Sequence, residues 1–336
     1  MQIGERIFRQ MKQKNAGNAG CINEFLCKIC REMIRQDARI DLSSVYSRGD
    51  NMTNNGYEKY HTHITAEKKR FDFNLPEVWR YRDLIILFTK RSFKLIYKQT
   101  VLGPAWILLN PILSSLMYTI VFGRIAGMSS DGVPQLLFYL SGTAIWTMFS
   151  TTLVKNAATF TANAAVFGKV YFPRLTMPLS IVLSSIIQFF MQFILVLILL
   201  VFYMIKGSVH PSPLAFVMIP LILVQLGLMG LGFGIIISSL TTKYRDLQML
   251  VNLGVSLWMY ITPVVYPMSQ ITNDLLKIAV KINPVSMPVE LFRYYLLGVG
   301  EPDFLFYGIS WAVTFVVLFI GISIFNKVEK TFVDTV

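Results

Sequence analysis

Charged residues are spread unevenly along this 336-residue chain, and the gaps between them set its architecture. Six intervals hold no Asp, Glu, Lys or Arg: 99–123, 132–154, 175–205, 207–242, 247–273 and 304–326. A helix crossing a bilayer core of about 30 Å needs about 20 apolar residues. Each interval can hold one such helix, and none comfortably holds two. They predict six spans near 105–125, 134–154, 178–204, 214–240, 248–267 and 305–326. In lipid the backbone must satisfy its own hydrogen bonds, so the spans are expected as helices. The alternating pattern of a membrane barrel is absent. The expected fold class is an all-α integral membrane protein with six transmembrane helices.

Two shorter segments have a different pattern. Across 78–98, Arg80, Asp83, Lys90, Arg91, Lys94 and Lys98 recur at three- and four-residue steps, with Tyr81, Ile85, Phe88, Leu95 and Ile96 on the other side. That periodicity predicts a basic amphipathic helix lying in the membrane interface with its cations toward phosphate. "LGPAW" at 102–106 then turns the chain into the first span. Between spans five and six, "NPVSMPVELFRYYLLG" at 283–298 contains an apolar run too short to cross. Pro284 and Pro288 are expected to start a short helix and Gly298 to end it, in a re-entrant or interfacial pair. Glu290 and Arg293 are three apart and are expected to pair on one face.

Residues 1–77 lack periodic pattern and are rich in Asn, Gly, Lys and Arg, which predicts a mostly disordered polar extension. The six-span membrane body then runs over 78–330. Met52 is a candidate start, since nothing before it reads as a folded unit. No signal peptide is recognisable. Cys27 and Cys30, with His61 and His63, match no zinc spacing.

Charge adds direction to this layout. The chain is 54% hydrophobic and 15% charged, with a net charge of +12. Its cations fall before and between apolar runs rather than on one soluble domain, which favours anionic lipid over nucleic acid. If the N-terminus is inside, the inner segments hold 26 Lys and Arg and the outer segments 5. The positive-inside rule therefore predicts both termini in the cytoplasm. It also places "GKVYFPRLTMPLS" at 168–180 in a cytoplasmic loop before span three.

Candidate chemistry is mostly excluded. The expected spans contain no ionisable residue well inside, so a proton- or sodium-driven carrier is not expected. The chain has no P-loop: Gly168–Lys169 lacks the earlier Gly and the following Ser or Thr. No metal-ligand cluster or nucleophile with a base is recognisable, so neither a catalytic residue nor a bound cofactor is expected. A passive pore driven by a separate motor fits these absences. Aromatic residues are frequent in the spans, and Tyr139, Trp146 and Phe149 sit beside small and hydroxylated residues. They are candidates to line a path and stack weakly on sugar rings.

Five segments occur in an order that resembles a known family: "YRDLIILFTKRSFKLIYKQTVLGPAWILLNP", "KVYFPRLTMPLS", "SSLTTKYRDLQML", "LWMYITPVVYPMS" and "NPVSMPVELFRYYLLG". Together they are similar to the membrane permease of polysaccharide ABC exporters of the type-two class, which move lipid-linked O-antigen, teichoic acid or capsule. The resemblance covers about 75–330. It implies a homodimer in the bacterial cytoplasmic membrane, working with a separate P-loop ATPase that uses ATP and Mg. It also implies an interface helix with Arg91, Lys94 and Lys98 near lipid headgroups. A coupling segment would end in Lys169, Tyr171, Phe172, Pro173 and Arg174, and an outer gate would carry Pro284, Glu290 and Arg293. The alternative within the same class is export of a drug or lipid.

Overall fold

The structure, a computed structural model, describes residues 75–97, 105–167, 172–241, 244 and 246–335. The cysteines, Lys98, Lys169 and Tyr171 lie outside them, as do Met52 and the expected polar extension as far as residue 74. All described secondary structure is helical. Two short pieces, α1 (Leu75–Arg80) and α2 (Arg82–Tyr97), precede α3 (Ala105–Tyr118), which continues as a π-helix over Thr119–Ile125. Then come α4 (Gln135–Ala157), α5 (Thr159–Phe167), α6 (Thr176–Ile205), α7 (Ala215–Thr241) and α8 (Leu247–Ile261). After one 3-10 turn at Met268–Gln270 follow α9 (Asp274–Ile282), α10 (Ser286–Leu297) and α11 (Phe304–Thr335).

Five helical stretches are long and apolar enough to cross a membrane: Ala105–Ile125, Gln135–Ala157, Thr176–Ile205, Ala215–Thr241 and Phe304–Lys327. The sixth expected span differs. In place of a helix over 248–267, α8 has 15 residues, about 22 Å at 1.5 Å per residue. Thr262 at its end is extended, with φ −92° and ψ 139°, the conformation imposed on a residue preceding proline. Pro263 and Pro267 then keep the chain out of helix.

The long helices divide into two inner and three outer ones. Most of α4 and α7 is buried, whereas α3, α6 and α11 expose most of their apolar surface. Small residues allow the inner pair to pack closely. A methyl group on Gly230 of α7 would sit 3.0 Å from the Thr152 side chain of α4, and one on Gly234 would overlap Asn156. At the same end of the helices, the Thr241 hydroxyl donates to the Ala157 carbonyl at 2.9 Å. We call this the Phe160 end of the bundle, and the opposite one the Arg293 end.

The amphipathic segment forms as α1 and α2, with a break at Tyr81. Leu84, Phe88 and Thr89 are buried, and α2 packs along α6, where the Thr89 hydroxyl reaches the Ser180 carbonyl at 3.3 Å. Lys90 and Lys94 are exposed and Arg91 is half-buried. Leu95, expected on the apolar side, is exposed. The apolar stripe that packs on α6 therefore ends near Phe88.

Candidate functional site

An open cavity of about 510 Å³ lies between α3, α4 and α8. Trp146, Ser150, Thr151, Val154 and Lys155 of α4 form one wall. Asn252, Val255, Ser256, Met259 and Tyr260 of α8 form the other, and Tyr118 of α3 closes one side. The α8 residues recur every three or four positions, so they share one face of the helix. Gln248, one turn earlier, donates from its amide to the Val154 carbonyl at 3.5 Å and joins α8 to α4. Trp146, Tyr118 and Tyr260 supply aromatic surface toward the Arg293 end. Lys155 and Asn252 make the Phe160 end polar, and the Ser256 hydroxyl, one turn on, donates to the Asn252 carbonyl at 2.8 Å. No acidic residue lines the cavity.

Of the three aromatic residues expected on a sugar path, Trp146 lines this groove. Tyr139 and Phe149 are packed behind it, both almost fully buried. Phe149 lies 5.5 Å from Trp146 and 5.4 Å from Trp258, ring centre to ring centre. Tyr139 packs against Phe138 at 5.5 Å and Tyr118 at 6.3 Å. These two rings hold Trp146 and Tyr118 in place from behind. Tyr118 and Tyr260 are among the frequent span aromatics without being singled out, and Asn252, Ser256 and Lys155 are not marked by the sequence reading. The four-residue recurrence of Gln248, Asn252 and Ser256 in an otherwise apolar helix was the available signal.

At the Arg293 end, α9 and α10 form a pair of short helices, as expected. Gly298 stops α10 in the left-handed conformation at φ 77°. The local ion pair does not form: no salt bridge joins Glu290 and Arg293 among the described residues. Arg293 is fully buried and donates to the carbonyls of Pro263, at 2.5 Å, and Val264 in the turn after α8. That turn leaves carbonyls without helical partners, and a guanidinium is a fork of donors that suits them. Glu290 is also buried; it accepts the Met268 backbone N–H, and one of its oxygens has no partner. Burial raises the Glu290 carboxyl above the usual range, opposed first by Arg293. Pro284 accepts a 2.5 Å hydrogen bond from the Ser310 hydroxyl of α11, which itself accepts from Gln225 of α7 at 2.7 Å.

At the Phe160 end, the described part of the expected coupling segment is held against its surroundings. Phe172 is buried, 5.6 Å from Phe88 of α2 and 5.7 Å from Phe167 of α5. Phe167 lies 5.9 Å from Phe160, which stacks on Phe325 of α11 at 4.7 Å. Pro173 accepts the Thr176 N–H at 3.0 Å as the chain enters α6. Arg174 is mostly buried, its guanidinium 5.7 Å from the Phe167 ring. One series of rings thus connects α2, the segment before α6, α5 and α11.

Residues 83–297 match the ABC-2 type transporter family. An O-antigen export system permease protein RfbA of Klebsiella pneumoniae is 28% identical over 253 residues, 75% of this chain and 94% of that protein. The protein of the same name from Myxococcus xanthus is 26% identical over 261 residues, 77% of this chain and 98% of that protein. The match spans α2 to α10, so both the groove and the short helix pair lie inside it. The chain belongs to the ABC-2 type transporter family, as a multi-pass membrane permease.

Proposed function

We propose that this chain is the permease half of an ATP-driven exporter of lipid-linked polysaccharide, and that two copies form the path. The groove between α3, α4 and α8 carries this reading. It combines aromatic side chains, the exposed Tyr260 among them, with hydroxyl and amide groups and contains no acid, a lining suited to sugar rings that must be held at many weak points and released. The relatives named as O-antigen export permeases support the same cargo class. The loop charges favour the Phe160 end, and with it both termini, on the cytoplasmic side of the inner membrane.

On this reading the cell supplies a P-loop ATPase that docks at the Phe160 end. Its ATP-driven closure would push on the segment ending at Arg174. The ring series from Phe172 to Phe325 would pass that displacement to α2 and α11, because each ring is packed on the next. The short helices α9 and α10 would gate the far end, and the glycan would thread between the two copies. Lys94 and Lys98 would attract the lipid diphosphate. The chain itself would bind no cofactor.

The test is removal of the chain from its native cell. The reading expects surface polysaccharide to vanish and lipid-linked glycan to accumulate inside, with an ATPase co-purifying with the tagged permease in equal amount. Unchanged surface glycan in the deletion strain would remove the proposal.

A further inference from the structure

We infer that the Phe160 end of the groove is a phosphate site, with Lys155 providing the charge and the Asn252 amide a flanking hydrogen bond. The inference rests on the export reading and assigns it a binding residue. Three observations carry it. First, α4 continues through Ala157, past the last residue of the charge-free interval, so Lys155 sits on a membrane helix and lines the cavity. Second, it has neither an acidic partner nor a hydrogen bond among the described residues, and no acid shares the cavity. An ammonium group held on a membrane helix without a counter-ion is a site for an anion. Third, the groove is graded. The cation and the Asn252 side chain lie toward one end and Trp146, Tyr118 and Tyr260 toward the other, with Ser256 between them, its hydroxyl donating to the Asn252 carbonyl at 2.8 Å. Nine residues separate Trp146 from Lys155 on α4, about 14 Å of helix. That is the span of a diphosphate followed by one or two sugar rings.

A phosphate in this place has two sources, the lipid-linked end of the cargo and the headgroup of a bulk anionic phospholipid. A lysine near a helix end can extend its stem toward ordinary headgroups. The grading toward aromatic surface favours the cargo, because a phospholipid has no sugar to place against Trp146.

The experiment measures binding of radiolabelled farnesyl diphosphate to the purified full-length chain, with its co-purifying partner, in phosphatidylcholine nanodiscs. Lys155→Gln is expected to weaken binding at least tenfold, and Lys155→Arg to restore most of it. Lys155 is half-exposed and unpartnered, so Lys155→Gln is expected to fold; an unchanged thermal midpoint checks this. Phosphatidylglycerol added to the nanodiscs is expected to compete only weakly. Equal binding by wild type and Lys155→Gln, or no binding by wild type, overturns the site. Displacement by phosphatidylglycerol at equal concentration overturns the cargo assignment in favour of bulk lipid. Any of these outcomes, with surface glycan still dependent on the chain, leaves the export reading standing. Loss of that dependence, with farnesyl diphosphate still bound through Lys155, removes the export reading alone.

Discussion

The guanidinium of Arg293 lies 3.8 Å from the centre of the Phe138 ring. This contact fixes the short helix α10 to the inner helix α4, while the same guanidinium holds the turn after α8 through Pro263 and Val264. Three elements therefore meet at one buried cation.

Gly142 makes room for that cation: a methyl group there would overlap the guanidinium. Gly142→Ala and Arg293→Ala should each destabilise the fold by about 2–3 kcal/mol, the scale for losing hydrogen bonds to a buried charged group. Arg293→Lys should rescue little, since an ammonium cannot serve two carbonyls and stack on a ring. Thermal unfolding in detergent measures all three. The two Ala variants combined should cost less than their sum, because both break one contact.

Glu290 gives a dependence on pH. Burial raises its pKa, and it is surrounded by Arg293, Asp131, Glu301, Tyr266 and the Met268 N–H. A carboxyl whose pKa rises on folding takes up a proton as the chain folds, so its folded form is favoured at low pH. Stability should be greatest below the ordinary carboxylate range and decline as pH rises from there toward the raised value. Glu290→Gln should flatten the thermal midpoint across that window. A midpoint of the wild-type chain that rises with pH in this window, or an equal slope in both proteins, counts against this reading.

The ring series at the Phe160 end predicts coupling. Phe88→Ala and Phe172→Ala remove two partners of one contact. Each should cost about 3 kcal/mol or more as a core truncation. The double variant should show a coupling energy of about 0.5–1.5 kcal/mol. Additivity to within the error of the cycle would mean that α2 and the segment before α6 are not energetically joined.

Much of this architecture was legible in the sequence, because a charge in lipid is costly and the charge-free intervals mark the helices. The exceptions have physical causes. Pro263 and Pro267 end α8 early, and both were visible; interval length counts charges and not backbone donors. The interval before Lys155 ends at a charge, but the helix runs on to Ala157, since a lysine near a helix end can keep its apolar stem along the helix surface. The i, i+3 spacing of Glu290 and Arg293 suggested a local pair. The partners of Arg293 stand 29 and 30 residues away at Val264 and Pro263, beyond the reach of any local pattern. The groove was half legible. Trp146 was singled out, but which aromatic residues face the cavity and which pack behind it depends on how α8 crosses α4.

Tyr260 separates groove from scaffold. It lines the cavity and is 54% exposed, so Tyr260→Ala should change the thermal midpoint little while lowering glycan export several-fold. Phe149→Ala, in the packed layer behind, should lower both.

The most direct measurement of the central claim uses inverted membrane vesicles from the native cell, loaded with lipid-linked glycan on their outer face. With ATP, glycan should become protected from added glycosidase only when this chain is present, and Tyr260→Ala should slow that protection several-fold. ATP-dependent protection at the same rate in vesicles lacking the chain would contradict the account.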